Sequence, residues 1–184
     1  MFCGRRLHTL QNATLRPTQD RVREALFSSI ADFLPGCAFL DLFAGTGSVG
    51  IEAWSRGAAH VCWVERDRKT FRILRENIHS LSEVSSDCKL ASQCVAADTF
   101  LRQRRESAFD LVFADPPYAR NRSVRLNLME KIAQSGLLKV DGMLVLEQGA
   151  DESIPVGSND HWTLLRERRY GSSQLRFFKA RGEK

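Results

Sequence analysis

Residues 41–52 read Asp-Leu-Phe-Ala-Gly-Thr-Gly-Ser-Val-Gly-Ile-Glu, directly after the apolar stretch that begins at Cys37. Pro35-Gly36 stops whatever precedes it, so Cys37 to Phe43 reads as a short buried strand. Gly45, Gly47 and Gly50 then match G-x-G-x-x-G, and Ser48 is placed to cap a helix ending near Gly57. A strand that turns on glycines into a helix brings backbone N–H groups and a helix N-terminus close to a ligand. A bare strand–helix turn can look the same, so the acids beside the loop decide. Asp41 sits at the carboxyl end of the strand, where an anion repels a pyrophosphate and attracts a cation. Glu65 ends the next strand, where a carboxylate accepts both ribose hydroxyls of a nucleoside. A nucleoside with an amino group and no phosphates satisfies both. S-adenosylmethionine fits better than NAD.

The same alternation extends outward from the loop. Upstream, Val22, Ala25, Leu26, Ser29, Ile30 and Phe33 recur at helical spacing, with Thr18 or Asp20 as the cap. Downstream come a strand at 59–64, a helix at 68–81, a weaker strand at 89–95 and a short helix at 99–105. The strand Phe109–Ala114, a helix at 123–134 and the strand Met143–Leu146 follow. Strands alternating with helices imply a parallel sheet with helices on both faces. Trp162–Arg169 and Gln174–Lys179 break the rhythm, because only Tyr170-Gly171-Ser172 joins them. They should form an antiparallel hairpin at the sheet edge. The expected fold is α/β: a doubly wound, mostly parallel, Rossmann-like sheet of seven strands ending in that hairpin. One domain should span residues 1–184, with 1–35 as a basic segment plus a helix.

Composition narrows the function classes. With 184 residues, 43% hydrophobic and 27% charged, the chain matches one soluble globular domain. No apolar run approaches the ~18–20 residues needed to span a bilayer. The start, Met1 to Arg6, has no apolar signal-peptide region. Five cysteines without a C-x-x-C pair and four scattered histidines support neither a disulfide framework nor a metal site. A reduced, cytoplasmic protein without a metal is expected.

Lys and Arg total 27 against 22 acids, a net +5, and 21 of the bases are arginine. Arginine's planar fork suits bidentate contact with phosphate. The charge is uneven. Residues 1–24, with Arg5, Arg6, Arg16, Arg21 and Arg23, carry +3, and residues 166–184, which include Arg166, Arg168 and Arg169, carry +5. The stretch 32–101 carries −2. A basic fringe around an acidic centre fits a polyanion partner, though an ordinary solvated surface would show the same charges.

Two further loops carry chemistry. Ala97-Asp98 follows the third strand, where the Asp98 carboxylate can take an adenine amino group, cap the helix beginning at Thr99, or both. Asp115-Pro116-Pro117-Tyr118 follows a fully apolar strand and so lies at the carboxyl edge of the sheet, where ligands bind in open α/β folds. Two prolines fix the backbone and remove two donors. Asp115 and the Pro116 carbonyl become fixed acceptors for an NH2 group, and Tyr118 offers a flat face to a base. Such acceptors orient an amine for direct methyl transfer and stabilise the cation as it forms. A rigid Pro-Pro turn with a packed tyrosine is the plain alternative.

D-P-P-Y together with D-x-F-x-G-x-G resembles the S-adenosylmethionine-dependent methyltransferases of class I that act on nucleobase amino groups. R-P-T-Q-D-R-V-R-E-A-L-F at 16–27, G-R-R-L at 4–7 and R-E-R-R-Y-G-S-S-Q-L-R-F-F at 166–178 are similar to the RsmD family of ribosomal RNA small-subunit guanine methyltransferases. The likeness covers Gly4 to about Phe178. It implies methylation of the 2-amino group of one guanine in small-subunit (16S) ribosomal RNA, on assembled particles, by a monomer. It also implies that Asp41, Phe43, Gly45 and Gly47 line the methionine part of the cofactor, that Glu65 holds the ribose, and that Ala97 and Asp98 hold the adenine. Arg16 and Thr18 would close over the cofactor carboxylate. Asp115, Pro116, Pro117 and Tyr118 would form the catalytic loop, and Arg120 would join the terminal arginines on RNA. The family usually carries a longer leader, with a further strand before G-R-R-L. An adenine amino-methyltransferase, an NAD(P)-dependent oxidoreductase and a silent RNA-binding module are the alternatives. The oxidoreductase leaves D-P-P-Y unexplained.

Overall fold

The computed structural model describes residues 7–9, 17–82, 88–103, 108–117, 122–150 and 161–181. Arg5, Arg6, Arg16, Tyr118, Arg120 and the side chain of Thr18 lie outside that description. The elements are α1 (Pro17–Ser29), a 3-10 turn (Ala31–Phe33), β1 (Ala38–Asp41), α2 (Ser48–Ser55), β2 (His60–Val64) and α3 (Arg68–Ser82). Then come β3 (Lys89–Gln93), α4 (Ala97–Arg102), β4 (Phe109–Ala114), α5 (Arg122–Gln134), β5 (Leu138–Gly149), β6 (Trp162–Tyr170) and β7 (Ser173–Ala180).

The seven strands form one sheet in the order β3-β2-β1-β4-β5-β7-β6. The first five are parallel, and β7 runs antiparallel to both β5 and β6. The hairpin therefore stands at the edge, with Tyr170 opposite Ser173 and only Gly171-Ser172 between the strands. From β1 the chain winds outward to β3, then returns to place β4 on the other side of β1. That reversal opens a crevice above the carboxyl ends of β1 and β4.

Strand alternation sends successive side chains to opposite faces. Phe39, Val61, Trp63, Leu111 and Phe113 join one apolar cluster with α1, α2 and α3. Leu40, Cys62, Val112 and Leu144 join a second with α4 and α5. Both faces are thus covered, which is why the central strands read as continuous apolar runs.

Several local expectations are corrected. β1 ends at Asp41, not Phe43. Leu42 N–H still reaches the Phe113 carbonyl (3.0 Å), but Ala44 N–H bonds Val64 O (3.0 Å) on the opposite neighbour, so the chain has swung out of the ladder. Ser48 is the first helical residue rather than the cap; the cap is Gly47 at φ +93°. α1 opens at Pro17, whose fixed φ and missing N–H suit a first turn, so neither Thr18 nor Asp20 caps it. α4 begins at Ala97 behind Ala96, which rules out Asp98 as its cap. β5 begins at Leu138, ahead of Met143: Leu138 pairs with Phe109 and Met143 with Leu111, so five residues of β5 advance against two of β4. Asp141 takes φ +66° in that bulge, and its polar residues hide the strand's start in the sequence.

Candidate active site

The glycine loop is shaped by what packs beneath it. A Cβ on Gly50 would stand 2.1 Å from the Trp63 indole nitrogen, so α2 can seat on β2 only with glycine there. Gly47 combines its positive φ with Leu74 2.3 Å from a would-be Cβ. Gly45, at φ +55°, has no described atom within 4 Å on that side. The Trp63 indole N–H donates to Gly47 O (3.3 Å), fixing the loop to the sheet.

Carboxylates surround this loop. Asp41, only 1% exposed, accepts Gly50 N–H at 3.0 Å and so supplies from the strand the cap that α2 lacks locally. Burial pushes its carboxyl up to about 7; the Gly50 hydrogen bond opposes this, while the charges of Asp115 and Glu65 add to it. Glu65 is half-buried and accepts Gly45 N–H (2.9 Å) through one oxygen and Asp67 N–H (2.7 Å) through the other. Each oxygen keeps a second lone pair for a ligand. Phe43 is half-buried beside the loop.

Across the crevice, Asp115 follows β4, with Pro116 buried and Pro117 exposed. Solvent reaches Asp115, yet protein encloses enough of its carboxyl to raise the pKa by desolvation. Ala97 is half-buried at the start of α4, and the exposed Asp98 accepts from Lys131 at 2.6 Å through Oδ2, with no partner on Oδ1 among the described residues. Asp41, Gly45, Gly47, Glu65, Ala97, Asp98 and Asp115 thus share the carboxyl edge of the sheet.

The proposed RNA contacts separate. Arg23 bonds Asp20 at 2.9 Å, while Arg21 is exposed on α1. On β6, Arg166 and Arg168 lie opposite Phe177 and Leu175, on the face that α1 covers. Arg169 lies opposite Gln174 and therefore points to the other face.

Two residues escaped the sequence reading. Glu147 on β5 lies one position beyond the Ala114–Leu146 pair, beside Asp115. Its carboxyl is raised to about 7, chiefly by burial and then by the Asp115 charge, against a lowering hydrogen bond from Ser173. An acid ending an apolar strand was the signal, the same one that marked Asp41, Glu65 and Asp115. Asn77, fully buried on α3, accepts His8 N–H (2.7 Å) and donates to the carbonyls of His8 (3.0 Å) and Thr46 (2.9 Å). It ties the N-terminal segment to the glycine loop. A helical asparagine among apolar residues carries no warning of this in sequence.

A protein-family model described as Conserved hypothetical protein 95 matches residues 1–179. The chain is 34% identical to ribosomal RNA small subunit methyltransferase D of Escherichia coli (strain K12), over 98% of this chain and 88% of that one. The Haemophilus influenzae protein of the same name is 33% identical, over 97% and 90%. The chain belongs to the small-subunit methyltransferase D family. Among solved structures, the family fold recurs in the E. coli protein yhhF, with a TM-score of 0.81 at 30% identity over 98% and 94% of the two chains. A magnesium protoporphyrin IX methyltransferase from Synechocystis PCC 6803, solved with bound SAM, shares the fold at a TM-score of 0.64 and 16% identity, over 92% and 86%.

Proposed function

We propose that this chain transfers a methyl group from S-adenosylmethionine to the exocyclic 2-amino group of a guanine in small-subunit ribosomal RNA. The observation that carries the reading is the placement of Asp115-Pro116-Pro117 at the end of β4, across the strand-order reversal from the Asp41–Gly50 loop. Family membership supports it, and so does the fit of the site to the cofactor. The side of Gly45 with no described atom within 4 Å admits a ligand against the backbone. Glu65 has spare lone pairs for the ribose hydroxyls, and Asp98 Oδ1, which has no partner among the described residues, suits the adenine amino group. Asp41 and Glu147 add negative charge for a cationic ligand. S-adenosylmethionine supplies an electrophilic methyl on a sulfonium. The protein's own task is to hold the amine in line with that methyl and to compensate its developing positive charge, which Asp115 and the Pro116 carbonyl are placed to do. No general base needs to act before transfer; the proton leaves afterwards.

The domain is read as doubly wound, monomeric and cytoplasmic, with the assembled ribosomal particle preferred over free RNA. Much of the site selection then comes from the particle's shape. Labelled methyl transfer to undermethylated small subunits, followed by digestion to nucleosides, tests the assignment. Label in 2-methylguanosine is expected. Label in methyladenosine would replace guanine with adenine as the target, and no label above background would remove the function.

A further inference from the structure

The exposed side of α3 carries a basic stripe outside the crevice. Arg68, Arg72, Arg75 and His79 recur at intervals of four, three and four residues and are all exposed, while Leu74, Asn77 and Leu81 face the core. They line an open groove of about 650 Å³ together with Phe71, Glu76 and Cys94, the last just past β3. Arg72 is weakly held by Glu76 at 3.2 Å, its side chain 83% exposed. Arg68 and Arg75 have no ion-pair or hydrogen-bond partner among the described residues. Exposed guanidinium groups aligned along a groove are arranged to receive anions.

The stripe is continuous with the active site. Asp67 caps α3 by accepting Thr70 N–H at 2.8 Å, and it is bonded in turn to Glu65. Arg68 therefore sits at the carboxyl edge, three residues beyond Glu65. From there to His79 the helix rises about 16 Å at ~1.5 Å per residue. One strand of a duplex presents about five phosphates over that length, at ~3.4 Å each.

We propose that this face of α3 is an RNA-contact surface that holds the phosphodiester backbone of a strand flanking the target nucleotide. The assignment rests on the RNA methyltransferase reading above. Phosphodiester suits the groove because the charges form a line rather than a point. Phe71 gives it an apolar floor against which a ribose or base can lie. Reading charge along the chain misses the stripe: the acids that make residues 32–101 net negative include Asp41 and Glu65, which serve the crevice instead.

The test pairs the charge reversal Arg72→Glu/Arg75→Glu with the neutral Arg72→Gln/Arg75→Gln, using an in-vitro transcript of small-subunit ribosomal RNA as probe. Both positions are exposed, and a thermal melt confirms that each variant folds. Anisotropy titrations at several salt concentrations should show the transcript bound about ten- to a hundredfold more weakly by the reversed variant near 0.1 M salt. Its log–log salt slope should be flatter by about two. The neutral pair should lie between, and S-adenosylhomocysteine affinity should stay parental in both. Parental RNA affinity and slope in the reversed variant, alongside intact methyl transfer by the parent, would overturn the surface and leave the enzyme reading standing. Equal competition by poly-glutamate of matched charge would overturn RNA as the partner. If the parent neither binds the transcript nor methylates undermethylated small subunits, the functional reading fails first and the surface's partner fails with it.

Discussion

Asp41→Asn should make the protein more stable at alkaline pH, although it alters a residue at the heart of the cofactor loop. Asn is nearly isosteric and keeps an oxygen for Gly50 N–H, the bond that caps α2. What it removes is a charge that burial makes costly. Raising a carboxyl from 3.8 to about 7 is worth about 4 kcal/mol at ~1.36 kcal/mol per pH unit. The sign follows from linkage: the native state keeps this proton to higher pH than the unfolded chain does. The group therefore costs nothing below about pH 4, costs progressively more as pH rises toward 7, and costs a constant amount above that. At pH 5 the penalty is only about 1.5 kcal/mol by the same conversion. The preference of the Gly50 bond for the charged form is already contained in that raised value. The net gain should be about 4 kcal/mol at pH 8 and about 1.5 kcal/mol at pH 5. For a chain of this length that is a rise in Tm of roughly 8–16 °C at pH 8. Thermal melts of parent and variant from pH 5 to pH 8.5 measure it directly. Curves that run parallel across that range, or a variant less stable at pH 8, would refute the placement of an ionisable, buried Asp41. Calorimetry on the same pair should show weaker binding of S-adenosylmethionine by the variant, since a cationic ligand loses an opposing charge.

Glu65→Ala should weaken S-adenosylhomocysteine binding tens-fold by calorimetry, because it removes the proposed ribose acceptor and frees Gly45 N–H together. Glu65→Gln keeps an oxygen for Gly45 and should lose less; unchanged affinity in both would take Glu65 out of the ribose site. Asp115→Ala should slow single-turnover methyl transfer by ~10²–10³ while leaving cofactor affinity within a few-fold, and near-parental turnover would remove the amine-acceptor role. Gly50→Ala drives a methyl into the fully buried Trp63 indole, so it should cost ~1–3 kcal/mol in urea unfolding; a stabilised variant would show that α2 does not seat as described.

The parallel core was legible because β1, β2 and β4 are covered on both faces and so keep unbroken apolar runs. The hairpin was legible because too few residues separate its strands for a crossover. β5 was read only from Met143, since its first residues bulge against β4 and Lys139, Asp141 and Gly142 break the continuous apolar run that marks the other central strands. The start of α2 shifted because its cap comes from outside the local sequence. Ser48 looked like the cap of α2, but Asp41, seven residues earlier, does that work across the turn. Likewise Asp98 looked like a cap and instead bonds Lys131 on α5. Local rules see neighbours in sequence, and these bonds join neighbours in space.

One rule, an acid following an apolar strand, finds Asp41, Glu65 and Asp115, and applied to β5 it finds Glu147. It works because every parallel strand of the sheet runs toward the same edge. The result is an edge rich in carboxylates on a protein whose partner is read as a polyanion, which looks self-defeating. Burial resolves the conflict. The desolvation that raises Asp41 and Glu147 to about 7 leaves them partly protonated near neutral pH, so the empty crevice is less negative than its sequence. A cationic ligand in the crevice favours their ionised forms and compensates the charge it evokes. Outside the crevice the exposed guanidinium groups of α3 and β6 stand closer to an approaching strand than the enclosed acids do, and salt screens the more distant charges over ~8–10 Å. The same fold can therefore hold a cation within and a polyanion without, provided the acids stay buried and the arginines stay exposed.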